Sequence, residues 1–445
     1  MSSITRFTNC HLIDNGKLYQ NTDLYVDNNT QKIIAKPSNL NQYEITVIDL
    51  KGEILAPGFI DIQNNGIYGL NFSNLNSNST EEDIKEFKRF YKDAMKKYLS
   101  TGVTSLCPTV TSNFPDVYTK VLPIYKKSRL NNQCDSLGAH LEGPFINKEK
   151  KGCHPIETFV DANPKDKSPE SKLLEIYGGE KNLIDNVCII TAAPEIPGIL
   201  DLIPIITKKL NLIYSIGHTM TDYNIGLQAI DNGCTMITHL YNAMPQPHHR
   251  DAGVVGLINT PEVSSERNLP YFGLICDGVH VNPSMVNLAY KSNPNKCVLV
   301  TDAMHLIGLS NGSYKWDNQI IIKEDDRLYL KGTQTLAGAL TTLPQCIRNL
   351  MKWSNISLQE AIKTCTNNAA DSIGLSSEKG FLNIGCDADF VILNHKGFVT
   401  KIFKLGKEFK SSDINYDIDY PIYVENGNKN NNDKGVSSDR ISAVL

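Results

Sequence analysis

Eight strand-like apolar runs are spaced through the middle of the chain: GFIDIQ (58–63), VTSLCPT (103–109), SLGAHLEG (136–143), VCIITAAPE (187–195), LIYSIGHT (212–219), TMITHLYN (235–242), YFGLICDG (271–278) and CVLVTDAM (297–304). Most are followed by amphipathic helical stretches, among them EEDIKEFKRFYKDAMKKYL and IPGILDLIPIITKKL. Strands that are apolar on both faces and alternate with helices form a parallel sheet covered on both sides. Eight such units predict the α/β class, with the sheet closed into a (β/α)8 TIM-like barrel.

The two ends of the chain read differently. Residues 3 to about 56 alternate short apolar segments (DLYVD, KIIAK, ITVIDL) with Asn, Asp, Gly and Lys, as antiparallel strands joined by turns do. The texture returns in GCDADFVILNHKGFVTKIFKLGKEF. We expect the ends to pair into one small β-sandwich domain. This gives residues 1–56 and 379–411 to the small domain, 57–378 to the barrel, and 412–445 to a flexible Asn-rich tail without a catalytic role. Two insertions interrupt the barrel repeat. PQPHHRDAGVVGLINTPEVSSERNLP follows the sixth run, and a hairpin is expected in SYKWDNQIIIKEDDRLYLKG after the eighth, before helices at 339–353 and 357–374. Both fall on the face where a barrel carries its site.

At 445 residues with 41% hydrophobic content, the chain is long enough for a barrel and a small companion. Its 44 Lys and Arg against 48 Asp and Glu give a net charge of −4, so no global positive field recruits nucleic acid or anionic lipid. No apolar run approaches the eighteen or so residues of a membrane span, and the N-terminus lacks the apolar stretch of a secretory signal. Eleven cysteines, an odd count without a CxxC pair, read as reduced thiols and point to a cytoplasmic protein.

Four of the runs end in a residue that can bind a metal or move a proton: Glu142 in HLEGP, His218 in SIGHT, His239 in THLYN and Asp302 in VTDAM. A parallel barrel gathers its C-terminal strand ends at one mouth, so the four converge. Taken singly, a strand-end Glu or His is as well read as solvated or hydrogen-bonded. Taken jointly, two His and one carboxylate leave a coordination position open for water, which is the pattern of a catalytic metal site. Asp302 then stands as the carboxylate that takes a proton from that water and delivers it to a leaving nitrogen. Its alternative is a helix cap or an ion pair. Zinc is the first choice for the ion, while iron, manganese and cobalt accept the same ligands.

The phrases PGFIDIQNNGIYGLNF, HLEGPFI, KGCHP, TAAPE, IGHT, THLYNAM with HHRDAGVVGL, DGVHVNP, VTDAM and TLAGA, in order from about residue 50 to 405, resemble those of the N-acetylglucosamine-6-phosphate deacetylases of the amidohydrolase superfamily. The resemblance implies hydrolysis of N-acetylglucosamine 6-phosphate to glucosamine 6-phosphate and acetate by metal-activated water, in amino-sugar catabolism. It implies Glu142, His218 and His239 as metal ligands and Asp302 as general base and acid. It further implies substrate contacts at Gln63, Cys153, His154, Asn242, Ala243, Arg250, His280, Leu336 and Ala337. Arg250 suits a phosphate through its planar fork, and backbone N–H groups at Asn242 and Ala243 would add donors. A homodimer is expected, because the phosphate site of the family can involve the neighbouring subunit.

Many members of that superfamily place His-x-His at the end of the first strand to hold a second metal. Here the positions are Gln63 and Asn65, whose neutral amides are weak ligands, so one divalent ion per subunit is expected. A cyclic-amide hydrolase or deaminase on the same barrel is the rival enzyme. Cyclic-amide hydrolases usually bridge two metals with a modified Lys on the fourth strand, which here ends TAAPE. A catalytically inactive scaffold is the alternative from a different class.

Overall fold

The computed structural model describes residues 2–414 apart from 164, 166, 266, 267, 317, 318, 411 and 413. Apart from residues 412 and 414, the Asn-rich tail lies outside the described residues.

Eight parallel strands follow one another around a barrel: β1 (Phe59–Asn64), β2 (Val103–Thr111), β3 (Ala139–Glu142), β4 (Val187–Ala192), β5 (Ile213–Ile216), β6 (Met236–Ile237), β7 (Tyr271–Ile275) and β8 (Cys297–Val300). Each pairs with the next in parallel register. The ring closes where Asn64 bridges Ala303 and the Asp302 N–H donates to the Gln63 carbonyl at 2.9 Å. Every residue of β1, β2, β4 and β8 is buried, as a filled barrel with helices outside requires. The helix Glu81–Leu99 shows how the outer layer is specified. Thr80 and Asp83 form a reciprocal cap, acids fill the first turn, Lys96 and Lys97 the last, and Phe87, Phe90, Tyr91, Ala94 and Tyr98 make one buried stripe.

The two chain ends build a sandwich. Its six-stranded sheet runs Lys407–Phe409, Val399–Lys404, Phe390–Leu393, Ile54–Pro57, His11–Asp14, Lys17–Tyr19, so three strands from the C-terminal end join three from the N-terminal end where Phe390–Leu393 pairs antiparallel with Ile54–Pro57. The facing sheet runs Lys32–Ile34, Leu24–Asp27, Ser2–Thr8, Tyr43–Asp49. Phe7 fills the space between them, 4.9 Å from Phe403 and 5.4 Å from Phe390 ring to ring, with Val26, Leu55 and Ile392 around it.

A buried charge cluster fastens sandwich to barrel. Lys404 and Lys379 both reach Asp135, beside β2, and Asp389, which precedes the strand Phe390–Leu393. All eleven cysteines are free thiols, and ten are buried. Among the described residues no helix is long and apolar enough to cross a membrane. Two local expectations change. The hairpin after β8 is a three-stranded sheet (Gly312–Trp316, Gln319–Glu324, Arg327–Leu330), and the helix expected over 357–374 breaks at Thr366 into Leu358–Cys365 and Asn367–Ser372.

Candidate active site

The apolar runs of β5, β6 and β8 stop one or two residues short of the chemistry. His218, His239 and Asp302 have φ of 49°, 28° and 47°, in the left-handed region that ends a strand and turns the next side chain into the mouth. Ala243 at φ 50° and Tyr241 at φ 78° continue the irregular backbone after β6. Such conformations persist only where surrounding structure holds them, and here they surround one site. Gly217, just before His218, allows the close approach: a Cβ there would sit 2.7 Å from Thr191 and 2.8 Å from Thr238.

Three donors meet. His239 Nε2 lies 3.0 Å from Glu142 Oε1 and 3.0 Å from His218 Nε2, which is 3.3 Å from the same carboxylate oxygen. Ligands bound tetrahedrally at zinc distances are spaced by roughly 3.3 Å, so the trio has the dimensions of a metal site. The protonation pattern also fits. His218 Nδ1 is 2.7 Å from the Lys150 carbonyl and must donate to it, so Nε2 is the nitrogen turned inward, where a bound cation would take its lone pair. His239 Nδ1 is buried without a hydrogen-bond partner among the described residues, and its Nε2 faces His218 Nε2 at 3.0 Å, a separation that calls for a proton or a cation between the two nitrogens. Burial pushes Glu142 up, but hydrogen bonds and charge from His218 and His239 outweigh it and hold the carboxyl well below its usual range.

His154 also approaches Glu142 and His218, but as a donor. The backbone N–H of Ser112 donates to its Nδ1 at 3.2 Å, so the ring proton sits on Nε2, which points toward Glu142 Oε2 at 3.7 Å. Burial first, then His218, lowers the ring to about 3 and keeps it neutral. Asp302 is pushed up to about 6 by burial and by the neighbouring Glu142 charge. Its Oδ1 accepts from Asn65 at 2.7 Å and from Gln63 at 3.4 Å, and Gln63 donates to Glu142 Oε1 at 3.0 Å as well.

A pocket of about 150 Å³ opens on this centre, lined by Glu142, His218, His239 and Asp302 together with Cys153, His154, Asn242, Ala243, His280 and Leu336. Gln63 lies behind its wall through the bond to Glu142. Ala337 packs in the apolar cluster under the three-stranded sheet, and the exposed Arg250, bonded to His249 at 2.9 Å, is not among the lining residues. The Asn242 N–H is already given to the His239 carbonyl at 2.9 Å, which leaves the backbone N–H of Ala243 as the donor at that turn. A larger cavity of about 640 Å³ lies at the opposite end of the barrel, among the starts of β5 and β7, and contains none of the expected site residues.

Several supports escaped the sequence reading. Glu195, at the end of TAAPE, accepts from Asn147 Nδ2 (3.0 Å), Met220 N (2.6 Å) and the hydroxyls of Thr219 and Thr221, and so pins the loop that follows His218. Asp277, three residues before His280 in DGVH, accepts its Nδ1–H at 2.7 Å, and that spacing was the available signal. Beneath the ligands, His140 Nδ1 must donate to the Ile62 carbonyl at 2.9 Å, so its Nε2 accepts from Thr191. Thr191 in turn accepts from Thr238, and Thr238 from Ser215. This wire fixes β3 to β6 just below the ligands they carry.

The sequence pattern of the amidohydrolase family matches residues 216–437. The N-acetylglucosamine-6-phosphate deacetylase of Caenorhabditis elegans is 38% identical over 362 residues, covering 81% of this chain and 83% of the relative. The human protein of that name is 37% identical over 396 residues, covering 88% and 92%. The crystal structure of the Pasteurella multocida deacetylase superposes with a TM-score of 0.76 at 28% identity, over 91% of this chain and 99% of that one. The chain therefore belongs to the N-acetylglucosamine-6-phosphate deacetylases of the amidohydrolase family.

Proposed function

We propose that this protein hydrolyses the acetamide of N-acetylglucosamine 6-phosphate to glucosamine 6-phosphate and acetate, a step of amino-sugar catabolism. The observation that carries the reading is the meeting of Glu142, His218 and His239 at metal-ligand spacing with Asp302 beside them in one pocket. One divalent ion per subunit, with zinc the first choice, would be held by those three residues and, when bound, supplies the Lewis acidity that activates water and polarises the carbonyl.

The residues of the chain divide the remaining work. Asp302 takes the proton of the attacking water and returns it to the departing amine nitrogen, a role suited to a carboxyl whose affinity for protons is raised. Asn65 and Gln63 tie down its Oδ1, which leaves Oδ2 for proton transfer. The Nε2–H of His154 is a fixed neutral donor for the acetamide oxygen as negative charge develops there. His280, held by Asp277, and the Ala243 N–H serve the sugar and its phosphate. Cys153 and Leu336 form wall, and the Cys153 carbonyl is held by Gln319 of the three-stranded sheet at 2.9 Å.

Arg250 is exposed and stands apart from the pocket of its own chain, which supports a homodimer in which it completes the phosphate site of the neighbouring subunit. Eleven free thiols support a reducing, cytoplasmic location. Measuring acetate release from N-acetylglucosamine with and without the 6-phosphate tests the reading. A strong preference for the phosphorylated sugar is expected, and equal activity on both would remove Arg250 and the phosphate from the account.

A further inference from the structure

We propose that Asn65 sets specificity at the reacting end of the sugar. Its side-chain carbonyl accepts a hydrogen bond from one of the two hydroxyls flanking the acetamide-bearing carbon, while its N–H holds the carboxylate of Asp302. The inference rests on the function proposed above.

Orientation comes first. Asn65 Nδ2 lies 2.7 Å from Asp302 Oδ1, and an ionised carboxylate only accepts, so the amide is fixed with its own oxygen pointing the other way. That oxygen is buried and has no hydrogen-bond partner among the described residues. Its own backbone N–H cannot supply a donor, because that N–H is given to the Ala303 carbonyl at 2.8 Å. Asn65 also lines the catalytic pocket together with Asp302, His154 and His239.

A buried carbonyl left unpaired is unfavourable, and a ligand group that donates to it recovers that cost. At the reacting end of an N-acetylated sugar the donors are the amide N–H and the hydroxyls on the two adjacent ring carbons. The amide nitrogen must face Asp302, which protonates it as it leaves. The acceptor bonded next to Asp302 is therefore met by a hydroxyl one carbon away. A sugar that lacks this hydroxyl, or carries it as an ether, leaves the carbonyl unpaired or collides with it.

The test uses the metal-loaded enzyme with N-acetylglucosamine 6-phosphate, its 3-deoxy analogue and its 1-deoxy analogue. Wild type is expected to lose roughly 10- to 100-fold in kcat/KM on one of the two analogues. Asn65→Ala should treat that analogue and the parent sugar alike. Asn65→Asp keeps an acceptor but sets a second carboxylate against Asp302, so it should retain the discrimination while kcat falls and KM changes little. Full discrimination by Asn65→Ala would overturn the proposal, as would a wild type that handles both analogues as well as the parent. If Asn65→Ala does not fold, wild type and Asn65→Asp still decide. Absence of turnover on the parent sugar would sink the proposed function instead, so the two failures are distinguishable.

Discussion

Replacing Lys404 by Met tests whether the buried charge cluster holds the sandwich to the barrel. The ammonium is fully buried, 2.7 Å from Asp135 and 2.7 Å from Asp389, and it shares both with Lys379 at 2.7 and 3.1 Å. Asp387 adds a third carboxylate, 2.9 Å from Lys379 and 3.0 Å from Arg129. Removing one partner of such a cluster strands buried negative charge and costs about 3–5 kcal/mol. The pH dependence carries the sharper signature. Burial raises Asp389, but Lys379 and Lys404 outweigh it and bring the carboxyl from 3.8 to about 2. A depressed folded value gives stability that is present above the unfolded value and is lost as pH falls through the folded one; here it amounts to about 2 kcal/mol. With Lys404 gone the carboxyl rises, the folded variant takes up a proton more readily than the unfolded chain, and its deficit shrinks as the solution is acidified. Urea unfolding of both proteins at pH 7 and pH 5 reads this out. A loss below about 1 kcal/mol at pH 7, or an equal loss at both pH values, would refute the reasoning.

Three further outcomes are expected. Glu195→Ala frees the loop after His218 and should weaken metal binding about 10- to 100-fold in competition with a chelator; unchanged affinity would make Glu195 a bystander. His154→Ala removes the neutral donor and should lower kcat about 10²- to 10³-fold with KM little altered, whereas a change confined to KM would make His154 a binding residue alone. Dialysis against a chelator should abolish acetate release, and zinc should restore it; activity that survives chelation contradicts the assigned ligands.

The barrel and its four strand-end residues were legible because burial on both faces leaves apolar runs, and closure makes strand ends meet. The pairing of the chain ends was legible for the same reason, through short apolar segments at both termini. Left-handed backbone at His218, His239 and Asp302 left no mark, since none is the glycine or asparagine that usually signals it. Lys404 and Asp135 stand 269 positions apart, and nothing in VTKIFK distinguishes the buried Lys404 from the exposed Lys401 as the partner of a distant carboxylate. The expected hairpin SYKWDNQIIIKEDDRLYLKG holds a third strand because Asp325 and Asp326 make a further turn within it, between Gln319–Glu324 and Arg327–Leu330. Asn65 was read only for the imidazole it lacks, while its contact with Asp302 depends on the closure of β1 against β8.

The account stands most directly on Asp302→Asn, assayed for acetate release from N-acetylglucosamine 6-phosphate alongside metal analysis of the same preparation. Three ligands that do not include Asp302 should keep close to one ion per chain, while loss of the proton-transfer group lowers turnover about 10²- to 10⁴-fold. Near-normal turnover, or loss of the ion together with activity, would contradict the division between metal ligands and proton carrier.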